Sequence, residues 1–278
     1  MSVTHANPKV LEFYRELPFN IQESVEQQVR TIQDRDSVTN YPVLAELLGN
    51  RPRVLEIGCG AGWLSNNMAY HYGVSVTAID FNPVAVERAS QVASALGTTP
   101  TFEVADLFLY QPSEPADVAV SIGVLHHTND CHAAIRRVLN DFVRPGGHAF
   151  IGLYHEYGRR PFLDHFAELA AAGADEQQLF ERYCELMPQT TDETHARSWF
   201  RDQVIHPHET QHTLAEMLPI LDECGFTLER TSINRFEPID DVDALLEREK
   251  DYAGISREWL AQNRYFPGFF LFLARKNE

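Results

Sequence analysis

With 278 residues and 44% hydrophobic content, the chain can bury one large α/β core, or a core carrying a substantial insertion. Acids outnumber Lys plus Arg by 40 to 23, a formal net charge of −17. Such a surface repels a phosphate backbone, whose binding depends on Lys/Arg neutralisation, so nucleic acid is not an expected partner. The only compact basic clusters are Arg136-Arg137 and Arg159-Arg160. Cys59, Cys131, Cys184 and Cys224 are scattered, form no C-x-x-C pair and read as reduced thiols. The N-terminus has no basic stretch followed by an apolar run, and no segment reaches about 18 apolar residues. The expectation is a cytoplasmic protein with no membrane association.

Residues 8–49 read as helical, with a polar candidate over 20–35 and a short amphipathic one over 41–48 stopped by Gly49. Residues 13–20 (FYRELPFN), with Tyr14 among them, form a candidate lid. Strand and helix then alternate: a strand over 53–57, a helix over 62–72 and a strand over 74–80. The next helix is capped by Asn82, opens on Pro83 and ends before Gly97. Strands follow over 101–105 and 117–123. A helix within 130–142 carries Cys131, Ala134, Ile135, Val138, Leu139 and Phe142 on one face. A fifth strand over 148–154 completes the alternation, which predicts a parallel, doubly wound sheet. The rhythm breaks between 155 and 212, where helices are expected over 161–171, 176–186 and 193–203. After it come a helix (213–224), a strand (226–232), helical segments around 240–249 and 256–261, and a last strand (268–274). The division expected is an N-terminal helical segment (1–49), an alternating half (50–155), a helical insertion (156–212) and a segment completing the sheet (213–278).

The most informative stretch is V-L-E-I-G-C-G-A-G-W-L at 54–64, an apolar strand running into Gly58, Gly60 and Gly62. Asp80 ends the next strand twenty residues beyond Gly60, placed to accept hydrogen bonds from ribose hydroxyls. A dinucleotide loop would want G-x-G-x-x-G to seat a pyrophosphate on the following helix. Here the spacing is G-x-G-x-G, and Glu56 two residues ahead would repel a pyrophosphate but suit an ammonium or sulfonium.

VLEIGCGAG resembles motif I of the class I S-adenosylmethionine-dependent methyltransferases. Asp80 in VTAIDFNP matches the ribose-binding acid of that family, and Phe81 the position where adenine stacks. Asp106-Leu107 in FEVADLF matches the adenine-reading loop. SIGVLHHT at 121–128, with Ile122 and Gly123, matches the loop beneath the methionine part, and VRPGGHAFIG at 143–152 the turn into the fifth strand. The resemblance covers 50–155 closely and the last seventy residues loosely. It implies a Rossmann-like seven-stranded sheet with the last strand antiparallel, and S-adenosylmethionine as cofactor, with 1–49 as a lid, 50–155 as the cofactor-binding half and 156–212 as a helical substrate cap. The implied contacts are Glu56, Gly58, Cys59, Gly60, Gly62, Asp80, Phe81, Asp106, Leu107, Ile122 and Gly123.

Methyl transfer from a sulfonium is an in-line displacement, and a base is needed only if the acceptor must lose a proton. His127, His126 and Tyr154 are the candidates for that role, because they follow strands four and five. Tyr14, Tyr154, His155, Tyr157, His206 and His208 are the candidate substrate contacts. HPHETQH at 206–212 puts His208 and His212 at i, i+4, a recognised ligand spacing, but Pro207 and the missing H-E-x-x-H order argue against a metal. The run is read as a polar pocket wall or a loop-to-helix transition, with Trp199, Phe200 and Arg201 nearby; no metal is expected. The expected function is methyl transfer to a small molecule with an O, N or C nucleophile, by a chain acting alone or as a homodimer. A second reading moves or cyclises the aminocarboxypropyl group and releases methylthioadenosine, where methyl transfer releases S-adenosylhomocysteine. A third is a non-catalytic cofactor-binding partner protein. A dehydrogenase, the rival at the level of fold, is opposed by Glu56 and the glycine spacing.

Overall fold

The computed structural model describes residues 7–187 and 192–278. Three helices lead into the sheet: α1 (Pro8–Glu16), α2 (Val25–Asp34) and α3 (Pro42–Leu48). The polar helix begins five residues later than its composition suggested, because the Ser24 side chain accepts from the Gln27 amide and sets the start. The alternation that follows is β1 (Arg53–Ile57), α4 (Trp63–Asn67), β2 (Ser75–Asp80), α5 (Pro83–Leu96), β3 (Thr101–Val104), β4 (Ala116–Ile122), α6 (Cys131–Arg137) and β5 (Val143–Tyr154). Both α4 and α6 run on into a wider π-helical turn, to Tyr72 and Phe142 respectively. Three helices come next: α7 (Glu156–Ala171), α8 (Glu176–Leu186) and α9 (Glu193–Val204). The chain closes with α10 (Leu214–Glu223), β6 (Phe226–Thr231), α11 (Val242–Lys250), α12 (Tyr252–Ala261) and β7 (Phe269–Lys276).

The seven strands lie in the order β3-β2-β1-β4-β5-β7-β6, with β1 to β5 parallel and β7 antiparallel to both β5 and β6. This is the Rossmann-like, doubly wound sheet that the alternation and the resemblance imply. Alternate residues of each strand feed opposite faces. Leu55, Ala119, Ile151 and Phe272 pack on one face against α6 and α10, while Val54, Val118, Phe150 and Leu273 pack on the other against α3 and α4. A separate aromatic core, with Phe162, Phe166, Phe180, Tyr183 and Phe200, holds α7, α8 and α9 together. Among the described residues no helix is long and apolar enough to cross a membrane.

Two further elements start earlier than expected. β5 starts at Val143, since Ala116 pairs with Val143 before the register shifts to Val118 with His148. α7 starts at Glu156, not at Pro161. The His155 side chain caps it, accepting from the Gly158 amide at 3.2 Å, and Pro161 sits inside the first turns. Strand order reverses between β1 and β4, and at such a switch point the carboxyl ends of the strands open a crevice.

Candidate active site

The crevice is a cavity of about 630 Å³, roofed by the N-terminal segment and by α9. At its sheet end, the Gly58 and Cys59 amides donate to the Ile79 carbonyl (2.8 and 3.1 Å), and the Gly60 amide donates to Asp80 Oδ2 (2.8 Å). Asp80 Oδ1 accepts from the Asn82 amide at 2.8 Å, so this one carboxylate fixes both the glycine turn and the start of α5. Gly60 has φ +51° with open space where a Cβ would stand, and it lines the cavity. Gly62 serves packing instead: at φ +74°, its Cβ would meet that of Ala89 on α5 at 2.5 Å.

Glu56 and Asp80 are both buried, and both line the cavity. Burial is the largest cause of their perturbation, raising Glu56 to about 7 and Asp80 to about 6. The Ser65 hydroxyl donates to Glu56 and opposes part of that rise. Two desolvated carboxyls side by side favour a positively charged occupant.

The far end is built around Asp202 on α9. Its carboxylate is 4% exposed and accepts from the Tyr14 hydroxyl, from the Tyr154 hydroxyl at 3.0 Å and from Gln203 Nε2 at 2.8 Å. Burial raises its pKa. Nε2 of His127 faces Asp202 Oδ1 at 3.7 Å, while its Nδ1 donates to the His208 carbonyl at 3.0 Å. That bond places the ring proton on Nδ1 and leaves a lone pair on Nε2, an atom with no hydrogen-bond partner among the described residues. Burial lowers His127 to about 4, so the ring is neutral at physiological pH. Behind this wall the fully buried Arg159 holds Glu209 through two bonds (3.1 and 2.8 Å) and Gln203 through two more (3.0 and 2.6 Å). Its guanidinium lies 4.1 Å from the centroid of the Tyr154 ring.

Of the residues singled out from sequence, Glu56, Gly58, Cys59, Gly60, Asp80, Phe81, Asp106, Leu107, Ile122 and Gly123 line the cavity at the sheet end. Tyr14, His127 and Tyr154 line it at the far end. His126 lies just behind, its Nδ1 accepting from the Tyr154 amide at 3.2 Å. His206 is not on the cavity wall either; its ring lies against that of His127, with centroids 3.8 Å apart and planes tilted by 34°. His155, Tyr157 and His208 are not brought to the cavity wall. His155 is fully buried between Glu249 (3.2 Å) and the cap of α7, with Tyr157 packed on its ring. His208 donates to the Thr128 carbonyl at 3.0 Å, and His212 pairs with Glu216 at 3.1 Å, so the i, i+4 pair shares no helix. Asp202, Gln203 and Tyr265 were not found from sequence. Trp199, Asp202 and Gln203 share a helical face at i, i+3, i+4, and that spacing was the available signal. Arg201 points away, to Glu16 and the Phe13 carbonyl.

Among the described residues, the cavity wall carries four carboxylates (Glu56, Asp80, Asp106, Asp202) and no Lys or Arg. A sheet of this order with an acid-and-glycine loop at its switch point defines the class I S-adenosylmethionine-dependent methyltransferase fold. A family model described as methyltransferase domain matches residues 29–229, and the chain belongs to that family.

The ubiquinone biosynthesis O-methyltransferase of Pseudomonas aeruginosa (strain LESB58) is 34% identical over 121 residues, 43% of this chain and 50% of that protein. Its counterpart in Proteus mirabilis (strain HI4320) is 27% identical over 153 residues, 52% of this chain and 61% of that protein. The chain thus spans between half and three fifths of these relatives' length. Among solved structures, magnesium protoporphyrin IX methyltransferase from Synechocystis PCC 6803 with bound SAH superposes with a TM-score of 0.52 at 18% identity. That match covers 97% of this chain and 93% of the other. An S-adenosylmethionine-dependent methyltransferase from Mesorhizobium loti gives 0.50 at 22%, covering 87% and 99%. At these identities the likeness is one of fold.

Proposed function

We propose that the protein transfers the methyl group of S-adenosylmethionine to a small-molecule acceptor in the cytoplasm. The observation that carries this reading is one cavity with two built ends: the glycine turn with Glu56 and Asp80, and the His127–Asp202 wall. The residues fit the cofactor. Gly60 leaves room for a ligand to press on the backbone, and Asp80 keeps lone pairs for ribose hydroxyls beside the two amides it already accepts. Phe81, Asp106 and Leu107 would frame the adenine; Ile122 and Gly123 would lie beneath the methionine part. The sulfonium supplies an electrophile that needs no activation by the protein.

What remains for the chain is to align an acceptor and exclude water. Tyr14, Phe19 and Trp199 line the cavity and would cover the acceptor, while the His127 lone pair and the Asp202 carboxylate receive a hydrogen-bond-donating nucleophile. The far end carries the Asp202 carboxylate and, among the described residues, the cavity wall has no Lys or Arg, which disfavours anionic acceptors, so the acceptor is neutral or cationic where it enters. The O-methyltransferases among the relatives make a hydroxyl the first nucleophile to test. The experiment is incubation with methyl-labelled cofactor and a metabolite extract. Label in one extract compound, with S-adenosylhomocysteine as by-product, supports the reading. Methylthioadenosine as by-product points instead to aminocarboxypropyl chemistry, and cofactor binding without turnover to a non-catalytic partner protein.

A further inference from the structure

We propose that His127, Asp202 and His206 form a binding site for one divalent first-row transition-metal ion at the acceptor end of the cavity. Each offers one donor atom, and the three donors lie within 4.8 Å of one another. Two imidazoles and one carboxylate with positions left over form a donor set suited to such ions. The separation of 3.7 Å between His127 Nε2 and Asp202 Oδ1 is within a few tenths of an ångström of the ~3.4 Å between neighbouring ligands of a tetrahedral ion with bonds of about 2.1 Å.

Three further observations point to a cation. His127 is 5% exposed, and its Nε2 has no hydrogen-bond partner among the described residues. Its Nδ1 donates to the His208 carbonyl at 3.0 Å, the outer contact that orients metal-binding histidines and fixes Nε2 as the ligating atom. Among the described residues nothing donates between that lone pair and Asp202 Oδ1, so two acceptors face each other across 3.7 Å, a repulsion that a positive ion would turn into attraction. Nε2 of His206 is likewise buried without a partner. In the neutral ring it bears the proton, because Nδ1 accepts from the His208 amide at 3.1 Å. Binding through Nε2 would move that proton to Nδ1 and give up this bond.

Asp202 keeps its Tyr14 and Tyr154 hydroxyl donors as the ion's outer support. The scattered cysteines and the ligand order of the 206–212 run give no reason to expect a metal; the ligands proposed here come from three segments, of which only His206 lies in that run. The remaining positions around the ion would take an acceptor oxygen, easing its ionisation without a side-chain base.

The test uses the full chain, stripped by chelator, titrated with Co²⁺ and with Zn²⁺ in the absence of S-adenosylmethionine. It therefore stands or falls apart from the methyl-transfer reading. One ion per chain at micromolar affinity, with visible cobalt absorption, is expected. His206→Ala should weaken binding by more than about tenfold while the metal-free variant still unfolds in one cooperative transition, at a somewhat lower temperature because its ring packs on His127; Asp202→Asn should weaken it likewise. His132→Ala serves as control, because His132, His212 and Glu216 form a second, more exposed cluster. No binding below millimolar concentration would overturn the proposal. So would binding that survives His206→Ala and disappears in His132→Ala.

Discussion

Asp80 shows how much one carboxylate can hold. It ends β2, accepts the Gly60 and Asn82 amides, and borders the cavity with its remaining lone pairs. Asp80→Ala should weaken S-adenosylmethionine binding by about 1–3 kcal/mol, through lost ribose bonds and a loosened glycine turn. Titration calorimetry showing wild-type affinity would refute the assignment. His127→Ala should do the reverse, with cofactor affinity near wild type and turnover falling at least about tenfold, whether the nitrogen serves as base or as ligand. An equal loss of both would mean that the ring only shapes the cofactor end. Asp80 was legible because its partners are local and its spacing from the glycines is fixed by one βαβ unit. Asp202 was not: its Tyr14 donor lies 188 residues away, and no local pattern marks that pairing.

At the scale of elements, α4 and α5 approach so closely at Gly62 that a Cβ would meet the Ala89 side chain at 2.5 Å and its backbone at 3.0 Å. Gly62→Ala should cost about 1–3 kcal/mol in denaturant unfolding, from overpacking and from strain at positive φ. Gly60→Ala meets nothing within 4 Å, so its stability loss should be smaller and its effect should appear mainly as weakened cofactor binding. If both variants behaved alike in both measurements, the division between a packing glycine and a ligand-facing one would be wrong.

Farther along, Arg159 ties α7 to α9 and to the loop bearing Glu209. Arg159→Ala leaves a largely buried carboxylate unpaired and should cost about 3–5 kcal/mol; adding Glu209→Gln should recover part of it. The caps of α5 were readable from Asn82, Pro83 and Gly97 because capping is local chemistry. Pro161 misled for the same reason. Proline suits a helix start, yet here tertiary packing and the His155 cap carry α7 through it.

Across the whole molecule, a net charge of −17 and a carboxylate-rich cavity make pH the natural probe. Glu56 and Asp80 sit at about 7 and about 6 in the folded chain, above the ordinary carboxylate range. Below about pH 3 both states carry these protons and neither group affects stability. As pH rises, the unfolded chain ionises first, so each group increasingly favours unfolding; the effect is complete only above its folded pKa and amounts to about 3 kcal/mol. Buried His126, His127 and His206, all lowered by burial, act in the opposite sense below about pH 6.5, because there the unfolded chain binds more protons. The measurement must therefore be a difference. Relative to wild type, Glu56→Gln should gain thermal stability steadily from pH 5 to pH 8. A cationic cofactor favours the ionised carboxylates, so the increase in Tm that it gives the wild type should widen over the same interval and stay flatter in Glu56→Gln. A constant increment from pH 5 to pH 8 would show that these two acids do not sense the ligand's charge.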